Sequence, residues 1–154
     1  MKIAFIVQRY GAEILGGSEY HCRLIAERLA PRHQVEVLTT CAQDYITWKN
    51  EYPEGTDRIR GVTVRRFPVA HERNPDDFGR RSIRVFDRTH SVADELAWLD
   101  SEGPSSPQLV AYLEQQASAF DYVLLFSYRY YHAFHVARRI ADRRPSDRAA
   151  VDAD

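Results

Sequence analysis

The chain has 154 residues, 44% of them apolar and 28% charged, with a formal net charge of −1. That length supports one domain with a sizeable core, and the near-neutral balance excludes a global field that would recruit nucleic acid. Two cysteines, Cys22 and Cys41, make no C-x-x-C and no metal-ligand pattern, so free thiols in a reducing compartment and no bound metal or cofactor are expected. Met1 leads straight into a strand with no charged n-region and apolar h-region, and no apolar run approaches the roughly 18 residues of a membrane span. The expected location is cytoplasmic, at most peripheral to a membrane.

Residues 2–7 (KIAFIV) form a short apolar run rich in β-branched and aromatic side chains, the pattern of a strand buried on both faces. From Ser18 the period changes: Cys22, Ile25, Ala26 and Leu29 make one stripe of an amphipathic helix. Between them lies a loop ending in Gly16-Gly17. Glycines permit φ > 0 and close approach of another molecule to the backbone. The helix aims its unpaired N–H groups and partial positive charge back at that loop. Strand, glycine turn and helix start together predict a site for an anionic or polyhydroxylated ligand at the carboxyl edge of a sheet. The plainer reading is a tight βα turn with no ligand. Gly11, Gly16 and Gly17 do not fit G-x-G-x-x-G, and no acidic residue closes the second strand. There is no G-K-[ST], and Ser18 lacks the G-x-S-x-G frame of a nucleophile elbow.

A second strand is expected over residues 34–40, giving β-α-β within the first 40 residues and a right-handed parallel crossover. Residues 41–60 show no sustained period and read as a long loop, a length associated with function. Residues 61–69 alternate and then meet Pro68, the pattern of a third strand near an edge. After a polar connection over 70–78, residues 79–100 look helical. A break is expected near Thr89-His90-Ser91, with Ile83, Phe86, Val92, Leu96 and Leu99 as the buried face. A Gly-Pro turn over 103–107 places Pro107 to start a helix, with Leu109, Tyr112 and Leu113 on one side. Residues 121–127 (DYVLLFS) read as a fourth strand fit for the middle of the sheet. A turn at 128–132 and a helix over 133–143 follow. The expected domain spans 1–144, with a polar tail at 145–154.

G-G-S-E at Gly16–Glu19, W-x-x-x-x-G-P-x-S-P-x-L-x-x-Y-L from Trp98 to Leu113, and F-D-Y-V-L-L-F-S-Y-R-Y-Y from Phe120 to Tyr131 occur in this order. Together with the N-terminal K-I-A-F-I-V they resemble the N-terminal domain of a bacterial family 4 glycosyltransferase of the GT-B type. The resemblance covers residues 1 to about 143. It implies an α/β fold, a Rossmann-like parallel sheet with helices on both faces, forming half of a GT-B fold. It implies retaining transfer of a sugar from a nucleotide-sugar donor, with this half binding a sugar or lipid-linked acceptor. It also implies further strands and a C-terminal donor domain with an E-x7-E-type acidic pair. Neither follows here, so a truncated domain, inactive alone, is expected. The rival expectation is a stand-alone sugar- or nucleotide-binding α/β module without turnover.

Candidate substrate-binding residues gather at the ends of the expected strands. Gly16 and Gly17 offer backbone amides. Ser18 and Glu19 either orient hydroxyls or serve the helix start, as a cap and as a charge at its positive end. Arg9 and Tyr10 follow the first strand. Tyr128, Tyr130 and His132 follow the fourth, where tyrosines suit sugar stacking. His90, at the helix break, is the candidate catalytic contact, and Ser106 in the Gly-Pro turn is a further binding candidate. Arg80, Arg81, Arg84 and Arg88 form a basic stripe that either meets anionic lipid headgroups or is a solvated face. An unpaired sheet edge predicts a homodimer or aggregation.

Overall fold

The computed structural model describes residues 1–141. Five strands form one sheet: β1 (Lys2–Ile6), β2 (Gln34–Thr40), β3 (Gly55–Ile59), β4 (Val62–Phe67) and β5 (Tyr122–Leu125). Their order is β3-β4-β2-β1-β5. β1 runs parallel to β2 and to β5, β2 runs parallel to β4, and only β3 is antiparallel to its neighbour. The chain winds outward from β1 through β2 to β4, then crosses back to β5 on the other side of β1. The reversal between β1 and β5 is the topological switch point of a Rossmann-like α/β sheet.

The unbroken apolar character of β1 follows from burial on both faces. Ile3, Phe5 and Val7 point into one core layer with Val35, Val37, Val62 and Val64, covered by Cys22 and Ala26 of α1 (Gly17–Leu29). Ala4 and Ile6 point the other way, with Leu38 and Phe67. They meet Leu109, Val110 and Leu113 of α4 (Pro107–Gln116) and Val136 of α5 (Tyr131–Ala141). Helices thus cover both faces. Burying a single Leu or Phe in such layers contributes about 2 kcal/mol before entropy is counted.

The helical stretch starts earlier than residue 79. α2 (Pro75–Asp87) is capped by Asn74, whose side chain accepts from the amides of Asp76 and Asp77. The expected break is present, and α3 (Val92–Glu102) restarts on a capping box between Ser91 and Asp94. Among the described residues no helix is long and apolar enough to cross a membrane.

Three expectations are corrected. Residues 55–59 are not loop but strand β3. Its GTDRI sequence has no apolar alternation because the strand is exposed from Gly55 to Arg58, and only Ile59 at its end is partly buried against the core. β5 is not in the middle of the sheet among the described residues but at its edge, with Tyr122, Leu124 and Leu125 exposed. The face of α2 and α3 named for burial is mostly open: Ile83, Phe86, Val92 and Leu96 are exposed, and only Leu99 is buried. Those helices pack on each other rather than on the sheet, so their apolar period records a groove and not a core.

Candidate functional site at the carboxyl edge of the sheet

The loops that leave β1, β2, β4 and β5 converge at one end of the sheet. After β1, Gln8 and Arg9 turn toward the start of α1. Gly16 is the N-cap with φ −64° and offers no side-chain cap. The expectation that the glycines supply φ > 0 is therefore corrected; their use is steric. A Cβ on Gly16 would sit 2.2 Å from a Glu19 carboxylate oxygen, whereas a Cβ on Gly17 would meet nothing within 4 Å. Gly16 makes room for Glu19, and Gly17 faces open space.

Glu19 folds back over that start and is buried. Its Oε1 accepts from Arg9 Nε at 2.9 Å and Nη2 at 2.7 Å, and its Oε2 accepts from Ser18 Oγ at 3.0 Å. Ser18 Oγ in turn accepts from Gln8 Nε2 at 2.9 Å, so Ser18 links side chains instead of capping the helix. Arg9 also donates to the Gln43 carbonyl at 2.6 Å, with its guanidinium over the Tyr45 ring. Gln8 itself is buried and its Oε1 has no hydrogen-bond partner. From α1, Arg23 Nη1 donates to the carbonyls of Gly11 (2.7 Å), Ala12 and Ile14 (3.5 Å), which fixes the course of the loop.

A second network lies across the same edge. Glu102, at the end of α3, is buried. Its Oε2 accepts from Arg73 Nη2 at 3.1 Å and its Oε1 from Arg129 Nη2. The Glu102 carbonyl accepts from Trp48 Nε1 at 2.7 Å and Arg73 Nε at 2.9 Å. Arg73 reaches the Tyr45 carbonyl at 3.1 Å. The 42–52 loop is thus held at Gln43 by Arg9 and at Tyr45 by Arg73. Trp48 explains the glycine of the Gly-Pro turn: Gly103 has φ +67°, and a Cβ there would come within 3.0 Å of the indole.

Tyr130 joins the two networks. Half-buried, it packs edge-on against Trp48 and stacks on His132. Burial raises the pKa of its phenol, and Arg129, Glu102, Glu19 and Arg73 all act on it electrostatically. A neutral hydroxyl among alternating cations and carboxylates matches the donor and acceptor pattern of a polyhydroxylated ligand.

The other candidates sit elsewhere. Tyr10, expected in the cleft, is instead buried in the α1-side core layer, where burial raises its pKa. His132, also expected as a ligand contact, is wholly buried. Burial lowers its pKa to about 4 against an opposing pull from the Phe126 carbonyl, and neither ring nitrogen has a partner of ordinary hydrogen-bond geometry. Tyr128 is exposed at the mouth of a helical groove. Ser106 is buried at the N-cap of α4 and donates to the Pro68 carbonyl at 2.9 Å. His90 contacts the Arg88 carbonyl at 2.9 Å and Glu95 at 3.0 Å, which raise its pKa and tie it to the α2–α3 corner. Arg80 and Arg81 pair with Asp77, and Arg84 pairs with Asp94, so the basic stripe is largely offset.

Both cysteines are free and buried. Burial pushes Cys41 up to about 11 and Cys22 higher still, so neither is a ready thiolate. Among the described residues no cluster of His, Cys, Asp and Glu is arranged to hold a metal. Sequence reasoning missed Trp48, Arg73, Glu102 and Arg129; the length of the 41–60 stretch was a sign for Trp48 alone, while Glu102 and Arg129 lie within the quoted motifs without any local signal that singles them out. No family model, curated protein or solved structure matches the chain.

Proposed function

We propose that this chain is the acceptor-side half of a retaining GT-B glycosyltransferase acting in the cytoplasm on a nucleotide-sugar donor. The observation that carries the reading is the open space at Gly17, in the first turn of α1, at the switch point beside the Arg9–Glu19 and Arg73–Glu102–Arg129 networks. The motif resemblance adds to it. Here the amides of α1 receive an anionic or hydroxyl oxygen, and Tyr130 with the exposed side of Arg129 orients acceptor hydroxyls. Glu19 and Glu102 hold their arginines in place and are not themselves free bases. The donor wall comes from a second half, because a reaction that depends on positioning needs both walls of the cleft.

The test is a transfer assay on the purified 154-residue chain, alone and with a GT-B donor half added. The expected result is no turnover alone and acceptor-dependent transfer on addition. Robust turnover by the monomer would overturn the two-domain reading. The fact that every charged group of the two networks is already paired internally favours a second reading, ligand binding without turnover. Saturable sugar binding with no transfer under any complementation supports that alternative.

A further inference from the structure

The cluster of large apolar side chains left exposed by α2 and α3 lines a groove that α5 closes on its third side. Its volume is 750 Å³, within the range of about 300–1,000 Å³ typical of small-molecule sites. Phe86, Val92 and Leu96 stand exposed along it, and Trp98 forms part of its floor. The polar groups of the wall are already engaged: Trp98 Nε1 donates to Ser82 Oγ at 3.0 Å, and Ser82 Oγ donates to the Phe78 carbonyl at 2.8 Å. Along the Phe78, Phe86, Val92, Leu96 and Trp98 stretch an occupant meets mainly dispersion contacts, which favours hydrocarbon over a polar chain. The remaining polar lining is Glu95, Tyr128, Arg129 and Arg138.

One end of the groove is cationic. Arg129 and Arg138 line it, Arg138 with its guanidinium over the Phe134 ring. Glu95, the carboxylate on the rim, is paired with His90. Arg129 also belongs to the edge site, since its Nη2 holds Glu102 while the side chain stays 55% exposed. The apolar groove and the polar edge site are therefore continuous through a single arginine. We propose that the groove takes the hydrocarbon chain of an amphiphilic acceptor whose anionic phosphate-ester headgroup meets Arg129 and Arg138. The part of the acceptor that is glycosylated then lies on the Tyr130 side. This deepens the acceptor-side reading above and rests on it for its role, while occupancy of the groove is measurable without any transfer.

The test titrates the 154-residue chain with dodecyl phosphate below its micelle concentration, following heat of binding and tryptophan emission, with Trp48→Phe to leave Trp98 as the reporter. One-to-one binding is expected, at least tenfold weaker for dodecyl maltoside and undetectable for inorganic phosphate. Leu96→Glu, at an exposed position, should weaken dodecyl phosphate at least tenfold while leaving urea unfolding little changed. Arg138→Gln should erase the preference for phosphate over maltoside. Binding unaffected by Leu96→Glu, or equal binding of inorganic phosphate, overturns the proposal. A dimer on light scattering that excludes the amphiphile overturns it in favour of a second copy. Sedimentation with phosphatidylglycerol vesicles but no binding of monomeric amphiphile overturns it in favour of a membrane surface. Because no donor sugar is present, a negative result here leaves the Gly17-centred reading standing, and a failed transfer assay leaves groove binding intact.

Discussion

At Glu102 one buried carboxylate receives two arginines while its carbonyl receives Trp48 and Arg73. Removing it leaves Arg73, itself partly buried, without its ion-pair partner. Glu102→Ala should destabilise the fold by about 3 kcal/mol in urea unfolding; a loss below about 1 kcal/mol would mean that water already compensates Arg73. The two glycines at the start of α1 should part company. Gly16→Ala must displace the Glu19 carboxylate and with it the Arg9 pair, whereas Gly17→Val enters open space. Gly17→Val should change stability by no more than about 0.5 kcal/mol yet abolish ligand binding, as calorimetry would show; equal loss of folding and binding would make the turn purely structural. His132 gives the fold an acid sensitivity. Its folded pKa, about 4, lies below the ordinary histidine value, so the unfolded chain binds the extra proton between them. Stability is full above about pH 6.5 and falls as pH drops toward 4, by up to about 1.4 kcal/mol per pH unit from this group. His135, also lowered by burial, acts in the same direction. Depressed carboxylates such as Asp44 lose their contribution only at lower pH. His132→Phe should flatten the slope between pH 6.5 and 4.5, and an unchanged slope would assign it to other groups.

The two edges of the sheet are built differently. β3 carries Asp57 and Arg58, charges that discourage another strand from pairing. β5 has no charge between Tyr122 and Leu125 and exposes three of its four side chains. Self-association should therefore run through β5. Leu124→Lys should lower the apparent mass in light scattering, and an equal effect from a lysine on β3 would refute the assignment. α2 has no buried residue and packs chiefly on α3. Its amides should exchange with deuterium well before those of β1, whose residues from Ile3 onward are buried.

Across the whole molecule, the candidate site exists only because the sheet reverses direction at β1. The β1–α1 loop supplies Arg9 and Gly17, the loop after β4 supplies Arg73, and the turn after β5 supplies Arg129 and Tyr130. The separation in sequence is large, and the 42–52 loop ties these pieces together through carbonyls that any residue type provides.

What was legible in the sequence was whatever local chemistry dictates. A strand buried on both faces tends to read as an apolar run, so β1 was visible; β2, which buries Glu36, Thr39 and Thr40 as well, showed through Val35, Val37 and Leu38, and with both came the parallel β-α-β unit. Pro107 at the first turn of α4 and the break before Ser91 follow from backbone restrictions that operate within a few residues. Tertiary structure alone decided the rest. β3 has no pattern because it is exposed except at Ile59, and β5 carries a central-strand pattern at an edge because nothing among the described residues lies beyond it. Tyr10 and His132 went to the interior, since a side chain's exposure depends on what the fold lays over it. The Glu102 network joins residues 48, 73, 102 and 129, whose proximity no period encodes, because it arises from the packing of separate loops at one sheet end.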